Sequence, residues 1–274
     1  MNIIKVGKEN ATYQEIVALK ENRTKRFSSK KFFVEGVQNI KDAISNNWEI
    51  DAFIFESYDK LSNWAKGVLG YAKRTFELSP NLMSKLSDKE DTSELLAIVK
   101  MKEQDLNIKN LKNPLFVLID RPSKKGNLGT ILRSADALFV NQIFYCGHGV
   151  DIYDHNVITS SMGSFFKVPF KFISSNEEFE NIMERIRKEY KDFQIVGTSL
   201  QGSKQIEECD FTKPTLLLVG NEANGLSKYL NEKADVLTKI EISENIDSLN
   251  VACATSIFLY EINRQRGKSR NANS

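Results

Sequence analysis

Three polar loops hold the residue types in this chain that could do chemistry. They are Gly126-Asn127-Leu128-Gly129 running on to Arg133-Ser134-Ala135-Asp136, Gly220-Asn221-Glu222 running on to Gly225-Leu226-Ser227, and Ile240-Glu241-Ile242 leading to Ser248-Leu249-Asn250-Val251-Ala252. Each follows an apolar run and precedes a helix-like stretch. In open α/β sheets ligands bind beyond the carboxyl ends of strands, so three such loops predict one site made of backbone amides and a few polar side chains. A nucleoside polyphosphate suits it poorly: Gly220-x4-Gly225-Leu226-Ser227 has phosphate-loop spacing, but Leu226 stands where a lysine must neutralise phosphate, and Glu222 adds negative charge. A dinucleotide fares no better, because Gly126-x-x-Gly129 falls short of the GxGxxG that brings backbone against a pyrophosphate. Amides and carbonyls beside apolar strand ends fit a ligand with a heteroaromatic ring and a zwitterionic tail.

Strands and helices must hold these loops. Leu115 to Asp120, Gln142 to Cys146, Phe193 to Thr198, Thr215 to Gly220 and Val236 to Ile242 read as buried strands, with helical segments near 128–138, 177–190 and 248–263. Continuous apolar strands alternating with amphipathic helices predict an α/β fold with a largely parallel sheet covered on both faces. The N-terminal third reads as a smaller mixed α/β unit. It has one amphipathic helix over 12–26, a strand at Lys31 to Glu35, a helix from Val37 to Asn46, and strand-like runs at 50–55, 75–78 and 95–100 around a helix at 61–72. The polar stretch from Lys102 to Asn113 suits an interdomain connection, which sets domains at 1–108 and 109–274.

Hydrophobic residues make up 41% of the 274 and charged residues 27%, as in a folded globular protein. The longest apolar runs are too short to span a bilayer and the first residues lack the apolar core of a signal peptide, so residence in the cytoplasm is expected. Cys146, Cys209 and Cys253, an odd number without CxxC spacing, fit reduced thiols. With only His148 and His155 besides, no transition-metal centre is expected and any cofactor is organic. Net charge is +2 but unevenly spread. Lys20, Arg23, Lys25, Arg26, Lys30 and Lys31 crowd a stretch with the single acid Glu21, and Arg264, Arg266, Lys268 and Arg270 lie near the end. Such clusters are the footprint of a phosphate backbone, or equally solvated helix faces.

Asn127-x-Gly129-x3-Arg133-Ser134-Ala135, Gly220-Asn221-Glu222-x2-Gly225-Leu226-Ser227 and Ser248-Leu249-Asn250-Val251-Ala252, in this order and at these separations, closely resemble the three motifs of the SpoU/TrmH branch of the SPOUT RNA methyltransferases. The resemblance covers about 114–265, and Val157 to Pro169 looks like the segment between the first two motifs. More weakly, Phe33-Val34-Glu35-Gly36-Val37 and Leu95 to Lys100 resemble the substrate-binding domain attached to many rRNA ribose methyltransferases of this branch.

The resemblance implies an α/β trefoil knot that binds S-adenosyl-L-methionine, and a homodimer paired through the knots. It also implies methyl transfer to a ribose 2′-hydroxyl of RNA, with rRNA favoured over tRNA on account of the N-terminal domain. Arg133 would engage the target ribose or its phosphate, with Asn127, Glu222, Ser248 and Asn250 around the reacting centre. Leu200, Gly220, Asn221, Gly225, Ile240, Ile242 and Leu249 would hold the donor. Arg23, Lys25, Arg26, Lys30 and Lys31 would select the RNA, and a partner protomer could supply Arg133 or the 264–270 tail. Two positions depart from the pattern: Ala223 where many members have glycine, and Thr159 where a basic residue is frequent. The competing classes are a non-catalytic knotted RNA-binding protein and a Rossmann-type small-molecule enzyme. The second lacks its GxGxxG.

Overall fold

The computed structural model describes residues 3–87, 92–102, 106 and 108–267. Packing divides the chain into two units, Met1–Glu103 with Asp151–Lys167, and Gln104–Val150 with Val168–Ser274. Whereas the sequence suggests one boundary after residue 108, the packing gives the first unit a segment from the middle of the chain.

The first unit runs β1 (Ile3–Val6), α1 (Ala11–Glu21), α2 (Arg23–Ser29), β2 (Lys31–Glu35), α3 (Val37–Ser45), β3 (Ile50–Phe55), α4 (Asn63–Val68), β4 (Arg74–Leu78), α5 (Pro80–Leu86) and β5 (Leu96–Lys100). Its five strands lie in the order β1-β4-β3-β5-β2, with β5 antiparallel to both neighbours and the rest parallel. The single helix expected over 12–26 is two helices. Asn22 is extended, and its Oδ1 accepts the Lys25 amide at 3.0 Å, so it ends α1 and caps α2.

In the second unit β6 (Leu115–Asp120), α6 (Lys125–Ala137) and β7 (Gln142–Cys146) come first. After α7 (His155–Ser161), which packs in the first unit, come β8 (Phe170–Ile173), α8 (Asn176–Glu189), β9 (Gln194–Thr198), β10 (Lys204–Gln205), β11 (Thr215–Val219), α9 (Lys228–Lys233), β12 (Val236–Lys239) and α10 (Val251–Arg266). All seven strands are parallel, in the order β10-β12-β9-β11-β6-β7-β8. Every residue of β6 and β11 is buried, which is why both read as unbroken apolar runs. Phe179, Ile182, Met183 and Ile186 form one stripe of α8 at helical spacing and close the core over Phe116, Leu118, Phe144, Leu216 and Leu218. Burying each such side chain contributes roughly 1.5–3 kcal/mol.

The chain winds outward from β6 through β7 to β8, then returns to build the other half, with β11 set between β9 and β6. That reversal opens a crevice at the carboxyl ends of the strands. The last expected strand is shorter than its apolar pattern. Pairing of β12 with β9 stops at Thr238↔Thr198 and with β10 at Gln205↔Lys239, so Ile240 and Ile242 leave the sheet.

The segment 151–167 joins the first unit through charge and aromatic packing. Arg26, 2% exposed, donates through Nε to Asp151 at 2.7 Å, pairs with Asp154 at 3.6 Å, and gives Nη1 to the carbonyls of Leu19 and Lys20. Phe32 packs against Tyr153 and Phe165, and Trp48 Nε1 donates to the Phe166 carbonyl at 3.0 Å. Gly163 has φ +94°, and a Cβ there would lie 1.9 Å from Asp42 Oδ2, so glycine alone allows the approach.

Candidate functional site

The crevice of the second unit is a cleft of about 700 Å³, ample for a nucleoside-sized ligand. Its walls are Thr198 to Gln201 after β9, Gly220 to Leu226 after β11, Lys239, Ile240 and Ile242 after β12, and Asp247 to Val251 leading into α10. Lys124 and Asn127 reach it from the start of α6, and Ala254 and Phe258 from α10. Leu226, Ile240, Ile242, Leu249 and Phe258 supply apolar surface, and Leu200 stands 62% exposed at the rim.

The loop after β11 is closed tightly on itself. Asn221 and Gly225 exchange backbone hydrogen bonds at 2.9 Å each, and Asn221 Oδ1 accepts the amides of Ala223 and Asn224. A Cβ on Gly220 would meet the Gly225 carbonyl carbon at 2.4 Å. From the end of β6, Asp120, 2% exposed, accepts the Ser227 amide at 2.6 Å and forms a two-bond pair with Arg121. Arg121 also donates to the Gly225 carbonyl, and its own carbonyl accepts Asn221 Nδ2 at 2.7 Å.

Glu222 leaves this loop and binds the start of α6. Its carboxylate accepts the amides of Ser123 and Lys124, the Ser123 hydroxyl and Asn127 Nδ2. Burial acts to raise its pKa, but the bonds from Ser123 and Asn127 outweigh it and hold the group below the usual carboxylate range. Asn127 Oδ1 in turn accepts Asn250 Nδ2 at 3.0 Å, and Asn250 Oδ1 caps α10 through the amides of Ala252 and Cys253. One chain of hydrogen bonds thus ties the three loops together. The Cys146 thiol beside Asp120 is pushed up to about 12, first by burial and then by that carboxylate, so it is no nucleophile near neutral pH.

Eleven of the twelve residues expected at the catalytic centre or donor site line the cleft: Asn127, Leu200, Gly220, Asn221, Glu222, Gly225, Ile240, Ile242, Ser248, Leu249 and Asn250. Arg133 is the exception. It lies exposed on α6, outside the cleft wall, and makes no hydrogen bond or ion pair among the described residues. Of the expected RNA contacts, Arg23 and Lys30 are exposed and Lys25 is partly so. Arg26 is corrected: its guanidinium is spent inside the first unit on Asp151 and Asp154, out of reach of a phosphate. Lys31 is half-buried and pairs with Asp51 at 3.1 Å. In the expected basic tail, Arg266 is buried against the carbonyls of Phe211, Asn113 and Lys213, and Arg264 pairs with Glu261. Lys268 and Arg270 lie outside the described residues. Asp120, Arg121 and Ser123 were missed as supports of the site; the signal was an acid closing an apolar strand just before the first loop.

A parallel α/β sheet whose crevice is lined by three cross-tied loops and offers apolar walls with backbone amides defines a nucleoside-binding protein. Residues 114–260 match the SpoU rRNA Methylase family, and residues 10–97 match the SpoU L30e-like domain. The chain belongs to the SpoU rRNA methylase family. It is 35% identical over 271 residues to a 23S rRNA (uridine(2479)-2′-O)-methyltransferase of Streptomyces viridochromogenes, covering 98% of this chain and 94% of that one. It is 25% identical to the 23S rRNA (guanosine(2553)-2′-O)-methyltransferase RlmP of Bacillus subtilis, over 93% of this chain and 98% of that one. Its fold matches the crystal structure of the SpoU methyltransferase AviRb from Streptomyces viridochromogenes in complex with AdoMet, with TM-score 0.88 and 36% identity over 94% of this chain and 98% of that one.

Proposed function

We propose that this chain transfers a methyl group from S-adenosylmethionine to a ribose 2′-hydroxyl of ribosomal RNA. The observation that carries the reading is the hydrogen-bonded chain from Ser123 and Lys124 through Glu222 and Asn127 to Asn250, which brings all three loops to one cleft. The donor set fits: Leu226, Leu249 and Phe258 offer apolar surface to a purine, and Thr238 at the cleft wall keeps a buried Oγ1 with no partner among the described residues. When bound, the donor supplies a methyl on a sulfonium, open to a single in-line displacement. The protein's task is then positioning and exclusion of water, and no protein nucleophile is required.

Glu222 accepts four hydrogen bonds, the full capacity of a carboxylate, and its lowered pKa makes it a weak base. Asn127, Glu222 and Asn250 therefore act as positioning residues. Arg133 binds the target phosphate or ribose oxygen and lowers the cost of charge on the 2′-oxygen. Ser248, exposed at the cleft wall, is left to meet the reacting centre.

The same reading includes a trefoil knot formed by the loops of the cleft, and a homodimer paired near it in the cytoplasm. Ile257 and Tyr260 on α10, with Phe139 just after α6, stand 40%, 62% and 59% exposed, which supports an apolar contact between copies. Arg23, Lys25 and Lys30 on the first unit are left to select RNA. Ribosomal RNA is preferred over tRNA because full-length relatives carry 23S rRNA in their names, while a tRNA (guanosine(18)-2′-O)-methyltransferase of Aquifex aeolicus matches only 56% of this chain. The test is transfer from labelled S-adenosylmethionine to total RNA of a strain lacking this gene, with alkali-resistant positions mapped. A 2′-O-methyl mark made by wild type and not by Arg133→Ala establishes the reaction. No transfer despite tight S-adenosylhomocysteine binding would instead make this a knotted RNA-binding protein.

A further inference from the structure

We infer that Phe27 on α2 is a stacking platform for an unpaired RNA base, so that the first unit recognises its RNA where it is single-stranded. This rests on the RNA reading above and narrows it. Phe27 is 38% exposed in the basic stretch, and its ring lies 6.0 Å from that of Tyr153 at an interplanar angle of 85°. Arg23 places its guanidinium 5.6 Å from the ring centroid. An aromatic ring flanked by an arginine is a recurring way of holding a base in single-stranded nucleic acid.

The platform is rigid. Its neighbour Arg26 is locked to Asp151 and Asp154, Asn22 caps the first turn of α2, and Tyr153 is only 8% exposed. Charge favours a nucleic acid over a protein partner: in the same stretch as the ring Arg23 and Lys30 are exposed and Lys25 partly so, and Glu21 is the one acid between residues 20 and 31. Magnitudes favour the base over the arginine. An exposed cation over an aromatic ring contributes about two- to fivefold in an equilibrium constant, whereas a stacked base contributes about five- to 150-fold. A base can therefore displace the guanidinium from the ring.

The full chain is titrated with a fluorescent oligouridylate of about twelve nucleotides, within the span such surfaces cover, and with a duplex RNA of equal length. Phe27→Ala should weaken single-strand binding by about five- to 150-fold while changing duplex binding less than about twofold. Phe27→Leu, which keeps apolar contact with Tyr153 and preserves the fold, should weaken it comparably, and Phe27→Tyr should restore it. Phe27→Trp should show fluorescence quenched by the single strand and not by the duplex. Lys30→Gln should make the slope of log K against log salt shallower by about 0.7, the loss of one phosphate contact, and Phe27→Ala should leave it unchanged. Wild-type affinity in both Phe27→Ala and Phe27→Leu, with RNA still bound and methylated, overturns this inference and leaves the methyltransferase reading standing. A wild-type chain that neither binds nor methylates RNA overturns that reading as well.

Discussion

Asn127 Nδ2 donates to Glu222 Oε1 at 3.1 Å, joining the first turn of α6 to the loop after β11. An ionised carboxylate only accepts, so this bond fixes which way the Asn127 amide faces and leaves its Oδ1 to receive Asn250. The orientation of one asparagine therefore depends on a charge from a different loop.

Glu222→Gln keeps the shape but turns an NH2 group toward donors at Ser123, Lys124 and Asn127. The clash should cost about 1–3 kcal/mol and weaken donor binding. Because the folded pKa of Glu222 lies below its ordinary 4.5, its stabilisation is fully present above pH 4.5 and is lost as pH falls through the folded value. Melting curves of the two proteins should lie far apart at neutral pH and converge in acid. A separation that stays constant into acid would deny the carboxylate this role.

Gly220→Ala tests the tightness of the donor loop. The added Cβ meets the backbone of Gly225 and Leu226 at 2.4 and 2.5 Å, contacts that no side-chain rotation relieves. The loop must open, at an overpacking cost of about 1–3 kcal/mol. Calorimetry should show S-adenosylhomocysteine binding weakened by about tenfold or more. Unchanged affinity would place the donor away from this loop.

The sheet was legible because each buried strand is an apolar run between turn signals: Leu115–Asp120 and Gln142–Cys146 fall where their residues predict. The three loops were legible for the same reason, since each closes such a run. Val236–Lys239 was overdrawn because the alternation continues to Ile242 after the ladder partners have ended, and alternation does not count partners. Helix α7 went unread because His155–Ser161 is short and polar, and it packs on β2, more than a hundred residues earlier, with His155 edge-on to Phe33. The charge run at 20–31 was legible as a cluster but not as individual roles. Lys20 donates to the Leu86 carbonyl and Arg26 to Asp151, partners that no local pattern announces.

Arg26 should therefore behave as an internal strut. Arg26→Met takes the guanidinium away from the buried carboxylates of Asp151 and Asp154, both under 10% exposed, at a cost of about 3–5 kcal/mol. Adding Asp151→Asn and Asp154→Asn to the same chain removes the buried charges and should return much of the melting temperature. The asparagines can still accept the amides of Tyr153 and Asn156. Binding of RNA by the rescued triple variant should keep the wild-type salt dependence. A lower slope would mean that Arg26 meets phosphate after all.

Arg133 is exposed and unpaired among the described residues, so Arg133→Ala should alter folding stability by less than about 0.5 kcal/mol. Since it does not line the cleft, S-adenosylhomocysteine affinity should be unchanged, while kcat for RNA methylation falls by about 10²–10³-fold. Loss of donor affinity in step with the rate would assign Arg133 to the donor site. Its place outside the cleft of its own chain also poses a question of geometry that mixing answers. If two copies pair and each lends Arg133 to the other's cleft, then Arg133→Ala mixed with Gly220→Ala forms a heterodimer with one intact site, and methylation reappears. If Arg133 serves its own cleft, every site in that mixture carries one defect, and none appears.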